Sequence, residues 1–248
     1  MPIQYLRSLT GKERSQRANR HLALVLAFVA GATDAGGYLA VRHYSSHMSG
    51  VVSSMAGNLA MGDVGLWLSG FSALLAFLIG AACTAILVNW GRRRNLRSEY
   101  TLPLLVEAAL LISFCCIGRS LEHPKWVLVS MITLLLCFTM GLQNAIITKI
   151  SHAEIRTTHM TGIVTDIGIE LGKLFYWNGF KGNPQTPKVL ADRQKLRLLL
   201  SLIGLFFFGG LSGALSFRHV GFLFFLPLAF SLLILVGVPT VDDLRKAH

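Results

Sequence analysis

An all-α bundle of membrane-spanning helices is the fold class this sequence predicts, and three observations predict it. Apolar residues make up 53% of the chain and its mean hydropathy is +0.57, while charged residues reach 14%, against roughly 25% in soluble domains. A soluble fold of this size has no surface on which to place so few polar groups. Six apolar runs approach the length that a hydrocarbon core demands, about 17–25 residues. Finally, two polar patterns recur: Gly31-Ala-Thr-Asp34 with Ser46-His-Met-Ser-Gly50, and Gly141-Leu-Gln-Asn144 with Thr158-His-Met-Thr-Gly162. The upstream parts are offset by 110 residues and the downstream parts by 112, so that His47 falls on His159, Ser54 on Asp166 and Asn58 on Glu170. Duplicated polar residues inside an apolar chain mark a duplicated membrane architecture.

Taken in order, residues 1–20 form a basic tail without a cleavage site of the secretory type, so residues 21–41 read as a retained first span. Residues 48–66 are rich in Ser and Gly and end near Asp63; they are long enough to cross a bilayer but too polar to do so comfortably. Residues 67–88 and 102–117 are the next spans, and Glu107 in the shorter one demands a face turned into the bundle. Residues 127–147 follow. Residues 160–177 form a second awkward segment carrying Asp166, Glu170 and Lys173, and residues 196–217 and 220–238 complete the set. The expected organisation is a tail (1–20), a first repeat (21–118), a second repeat (126–240) and a short tail (241–248).

Charge placement decides what the net +11 means. Arg7, Lys12, Arg14, Arg17 and Arg20 crowd the N-terminal tail, Arg92, Arg93, Arg94 and Arg97 follow the second span, and Lys181 to Arg197 fill the long polar connection. Clusters beside spans are what the positive-inside rule produces. No basic stripe interleaved with aromatics is present, which excludes nucleic acid as the expected partner and leaves the lipid bilayer. If neither awkward segment crosses, six spans put 19 of the 23 Lys and Arg residues inside and 4 outside, with both termini cytoplasmic. If both cross, eight spans divide them 15 to 8. The rule favours six, and six spans make the two repeats inverted in topology, each with one broken or re-entrant helical segment; eight would make them parallel. Trp67, Trp90, Trp126 and Trp177 lie at segment ends in either case.

The repeated motif carries the chemistry. Hydroxyl residues just before an apolar stretch are capping residues, so Ser49 and Thr161 are expected to cap half-helices and touch a solute. Helices starting within the membrane from opposite sides would aim their positive ends at a shared site near the midplane, which suits an anionic or hydrogen-bonding solute. On the second, His159, Gly162, Asp166, Glu170 and Lys173 are spaced 3, 4, 4 and 3 along one face; on the first, His47, Gly50, Ser54 and Asn58 repeat the stripe in neutral form. With Asp34 matched to Asn144, and Gln143 beside it, these are the candidate pathway residues. Read structurally instead, the acidic stripe is an internally paired interfacial helix and Asp34 a packing acceptor. Cys83, Cys115, Cys116 and Cys137 all fall inside spans without a metal-ligand spacing, so no disulfide framework, metal or cofactor is expected. The patch Gly209, Gly210 and Gly213 favours close helix packing, within the chain or between copies in a homo-oligomer.

The motif Gly141-Leu-Gln-Asn-Ala145 with Arg156-Thr-Thr-His-Met-Thr-Gly162 and Thr165-Asp-Ile-Gly-Ile-Glu-Leu-Gly172 resembles the YoaK-like family of bacterial integral membrane proteins. The first half resembles it through Phe28-Val-Ala-Gly-Ala-Thr-Asp-Ala35 and Ser46-His-Met-Ser-Gly50, and the likeness runs from about residue 20 to 240. That family's pattern continues with Asn after the Gly, whereas Val51 stands here. The resemblance implies a multi-pass protein of the bacterial cytoplasmic membrane and carries no substrate. Three function classes remain open: a transporter or channel for a small solute or ion with a site between the repeats, a membrane-embedded enzyme, and a non-transporting scaffold. The first rests on the repeats and their matched polar groups; the second lacks a recognisable nucleophile–base or metal motif.

Overall fold

The computed structural model describes residues 16–94, 96, 99–118, 126–150, 160–176 and 188–247. These form eight α-helices and one 3-10 turn: α1 (Gln16–Val41), α2 (Met48–Ala60), α3 (Val64–Arg93), α4 (Thr101–Gly118), α5 (Trp126–Ile150), α6 (Met160–Phe175), α7 (Arg193–Val220), the turn Gly221–Phe224 and α8 (Phe225–Ala247). No strand occurs among the described residues. Five apolar helical runs are long enough to span a bilayer. The last, of 45 residues, would measure about 68 Å if straight, twice a hydrocarbon core. It is broken at Gly221, whose φ of +58° a side chain would resist, so the five runs supply six long helices. The chain is an all-α, multi-pass membrane protein.

Glycine sets how the long helices meet. α1 packs most extensively on α7, and α3 on α5. A Cβ on Gly31 would overlap the Phe206 carbonyl, and one on Gly209 the Phe28 carbonyl. At the other crossing Gly80 and Gly141 bear the same relation to Phe138 and Phe77. Backbones this close replace the missing hydrophobic drive inside lipid with dispersion contact. The glycine patch on α7 is therefore used within the chain.

Contact order along each pair fixes direction. Gly209 lies against Phe28 and Gly213, four residues on, against Ala32, so α1 and α7 are parallel. Gly80 meets Phe138 and Thr84 Oγ1 donates to the Leu142 carbonyl at 2.9 Å, so α3 and α5 are parallel too. Against these, Gly37 of α1 meets Leu136 while Leu26 faces Gln143, and α1 and α5 run antiparallel. Gly118 meets Phe222 and Phe114 stacks on Phe225 with ring centroids 5.0 Å apart, so α4 and the last helix are antiparallel as well. Both α4 and α8 carry proline as their third residue, in Leu-Pro-Leu at 102–104 and 226–228. Proline is tolerated there because the first turn has no helical acceptor for its missing N–H.

The two short helices stand apart from this bundle. α2 folds back along the start of α3, with Met55 and Val51 over Gly70, through a turn in which Gly62 has φ +78°. α6 folds onto the start of α7. Asp63 caps α3 by accepting from the Leu66 N–H (2.9 Å), and Asp192 caps α7 by accepting from the Gln194 and Lys195 N–H groups (2.9 and 3.0 Å). α2 follows the C-terminal end of α1 and α6 flanks the N-terminal end of α7; since α1 and α7 are parallel, the short helices occupy opposite ends of the bundle. Their N-termini do not converge on one midplane site, as the sequence pattern led us to expect. A 30-residue α3 has spare length beyond the bilayer core, and its first turns give α2 an interfacial seat.

Candidate functional site

The loop leaving α1 is held by one carboxylate. Asp34 is buried; its Oδ1 accepts from the Ser45 N–H (3.2 Å), the Ser45 hydroxyl (3.0 Å) and the Ser46 N–H (3.2 Å), and its Oδ2 from the Ser46 hydroxyl (2.8 Å). Four donors satisfy the lone pairs that hydrocarbon would leave bare. The clasp forces a tight exit from the helix, with Arg42 at φ +58° and Tyr38 stacked on Tyr44 (centroids 4.3 Å apart). Asp34 thus fills the structural role of a packing acceptor, and Ser46 serves it instead of capping α2. The N-cap of α2 is His47, without a side-chain hydrogen bond, and Ser49 is an exposed residue of the first turn.

Beside this loop opens a cleft of about 330 Å³ between α1, α2 and α3. His47, Gly50, Ser54 and Asn58, the neutral stripe read from the sequence, all line it, facing Tyr38, Arg42 and His43. The imidazole of His47 lies against Gly50, where a Cβ would collide with its Cδ2 and Nε2 atoms. One guanidinium and two imidazoles line the cleft, together with Ser54, Asn58 and Ser69, and among the described residues no carboxylate does. Such a lining favours an anion or a hydrogen-bonding solute. The cleft belongs to the first half alone and not to a seam between halves.

The acidic stripe of the second half is engaged differently. Glu170 is buried; its Oε1 accepts from Lys173 Nζ (2.8 Å) and its Oε2 from the Asp192 N–H (2.8 Å). Lys173 first, and the Asp192 N–H after it, hold the Glu170 carboxyl below its ordinary range. The Lys195 N–H does the same for Asp192. Asp166, half-exposed, pairs with Lys195 across 3.3 Å. These carboxylates pin α6 to α7. Thr161 is exposed and Gly162 half-buried in the first turn of α6, and His159 lies outside the described residues.

Gln143 is in neither group. It sits in the core, where its Nε2 donates to Glu107 Oε1 at 2.7 Å; Asn144, the next residue, is half-buried. The sequence reading treated Glu107 only as a bundle-facing residue and did not include Arg42, His43 or Tyr38. A signal for Arg42 was present: it is one of four cations left outside by the six-span count, and an exception to a charge rule is a functional pointer.

With this geometry in place the chain can be compared with known proteins. The family described as "Protein of unknown function (DUF1275)" matches residues 22–238. The chain belongs to this family. It is similar to the UPF0700 transmembrane protein YoaK of Bacillus subtilis (strain 168), at 25% identity over 157 residues that cover 62% of this chain and 68% of the relative. No solved structure matches. The DUF1275 match takes in most of α1 and α8, all of the helices between them, the cleft and the Glu107–Gln143 pair.

Proposed function

We propose that this DUF1275 protein is a transporter or channel for a small anionic or hydrogen-bonding solute, which enters through the cleft between α1, α2 and α3. The observation that carries the reading is the cleft itself, in which Arg42, His43, His47, Ser54 and Asn58 converge without an opposing carboxylate among the described residues. Polar groups gathered at a membrane protein's surface cleft are expensive unless they bind something.

An inverted-topology repeat, residues 21–118 against 126–240, underlies this reading. Its support is the exchange symmetry of the contacts: α1 on α7 is answered by α5 on α3, with glycines at matching places, while α1 with α5 and α4 with the last helix are antiparallel. Halves inserted in opposite senses give this pattern, and halves in the same sense do not. On the charge count both termini and Arg92–Arg94 are cytoplasmic, in a bacterial cytoplasmic membrane, and the cleft opens outward. His47 then acts at the outer mouth, with Asn144, Thr161 and Gly162 at the inner one; Asp34, Asp166 and Glu170 hold the two short helices in place.

The test is flux from proteoliposomes loaded with chloride, formate, acetate or phosphate. Flux of one of these above that of empty vesicles, reduced at least about tenfold in Arg42→Gln/His47→Ala while the protein remains folded, supports the reading. Flux equal to that of empty vesicles for every anion refutes it. A single cysteine at position 94 in a cysteine-free chain, labelled with an impermeant thiol reagent only after permeabilisation, supports the orientation.

A further inference from the structure

We propose that Glu107 and Gln143 form a proton-binding site inside the bundle, in which Glu107 holds a proton shared with the side-chain carbonyl of Gln143. Glu107 stands on the inward stripe of α4 with Leu104, Ala108, Leu111 and Phe114, all buried. It lies about 9 Å along the axis from the start of α4, within an apolar run long enough to span a bilayer. Both side chains are 1% exposed. Gln143 Nε2 donates to Glu107 Oε1 at 2.7 Å and lies 3.5 Å from the Leu26 carbonyl of α1. Two buried atoms are then left without a partner among the described residues: Glu107 Oε2 and Gln143 Oε1.

With an ionised carboxylate both orphans are acceptors, and nothing among the described residues satisfies either. A neutral carboxylic acid and a primary amide pair through two bonds, amide N–H to acid carbonyl and acid O–H to amide carbonyl. The first of these is present in the structure. The second needs one proton on Glu107 Oε2, and that proton joins the two orphan atoms. Two oxygens are too few for a hard metal cation, which takes six or more.

Among the described residues no cation is paired with the carboxyl. The elements packed against α4 are α3, α5, α8 and the 3-10 turn. Their titratable side chains are Cys83, Arg92 and Arg93 on α3, Cys137 and Lys149 on α5, and Asp242, Asp243, Arg245 and Lys246 in the last turns of α8, with none between residues 221 and 237; α4 itself adds Cys115 and Cys116. None of these groups on α3, α4 and α5 is within hydrogen-bonding distance of Glu107, and Arg92 is engaged with Glu99 at 2.7 Å. α1 offers the Leu26 carbonyl, and its Asp34 is bound to Ser45 and Ser46. Gain and loss of this proton makes and breaks the second of the two bonds between α4 and α5. If the transport reading holds, on which this role but not the proton itself rests, the pair couples solute movement to a proton.

Infrared difference spectroscopy of the full chain in phosphatidylethanolamine–phosphatidylglycerol vesicles tests the site without any transported solute. The expected result is a protonated-acid carbonyl band at neutral pH that disappears in Glu107→Gln, moves to higher wavenumber in Gln143→Leu as its hydrogen bond is lost, and shifts in D2O. Superimposable wild-type and Glu107→Gln spectra in that region overturn the proposal, as does a band that neither D2O nor Gln143→Leu moves. If Glu107→Gln does not fold, the other two shifts decide. Absence of anion flux with this band present refutes the transport reading alone.

Discussion

α2 and α6 have the same setting and opposite fates. Each begins within a His-Met-hydroxyl-Gly motif, each lies on the first turns of a long helix, and each long helix is capped by an aspartate, Asp63 or Asp192. α6 carries Asp166 and Glu170 where α2 carries Ser54 and Asn58. The start of α7 supplies Lys195 and a free N–H, so the carboxylates of α6 find partners and lock the helix down. The start of α3 is Val-Gly-Leu-Trp, which offers no cation, and the neutral stripe of α2 is left lining a cleft. A buried charge fixes a helix when its partner is built in, and neutral polar groups leave room for something else to bind.

The largest effect should come from cutting the clasp that seats α2. Asp34→Ala leaves four donors around an empty place, two of them backbone N–H groups, and each unsatisfied buried donor costs about 1–3 kcal/mol. Thermal unfolding in detergent, followed by tryptophan fluorescence, should show a loss of roughly 3 kcal/mol or more. Asp34→Asn, which makes this position match Asn144, retains one acceptor oxygen and should lose about 1 kcal/mol. Equal losses in the two variants would refute the clasp.

Glu170→Gln should release α6 while leaving α2 untouched. Amide hydrogen exchange across Met160–Phe175 is expected to rise several-fold, with little change across Met48–Ala60. The same contrast should appear with pH. Because Glu170 is held below its ordinary range, the docking it supports is fully present above that range, near pH 4.3, and is lost as pH falls through the lower folded value. Exchange in α6 should therefore accelerate on acidification, and in Glu170→Gln that dependence should flatten.

Ser54→Asp tests whether α2 can be made to behave like α6. The new carboxylate faces Arg42 across the cleft and should neutralise it, lowering affinity for phosphate or acetate about tenfold, or about 1.4 kcal/mol. Gly50→Val should act more gently, displacing the His47 ring from its seat and weakening the same anions about threefold, or roughly 0.7 kcal/mol. Isothermal titration on the purified protein reads both. Unchanged affinity in Ser54→Asp would mean that the anion does not meet Arg42.

Much of the fold was legible because lipid imposes simple rules. The six long helices, the two short ones between them and the inward face of Glu107 all follow from apolar run length and from the cost of charge in hydrocarbon. The stripe of His47, Gly50, Ser54 and Asn58 was legible from helical spacing, and it does line a cavity. The roles of Asp34, Ser46 and Glu170 were harder to read. A carboxylate's partners are backbone and side-chain donors brought to it by folding, and Ser46 is as good a cap on paper as it is a donor to Asp34 in the structure.

Sequence by itself determined that this chain is a multi-pass helical membrane protein with two related polar motifs, because composition and period are local properties summed along the chain. Only tertiary structure decided that the two short helices sit at opposite ends of the bundle, that Arg42 and His43 join the stripe of the first, and that Glu107 meets Gln143. Those pairings bring together residues on different helices. They depend on how closely Gly31, Gly80, Gly141 and Gly209 let the backbones approach, and no spacing along one helix encodes the distance between two.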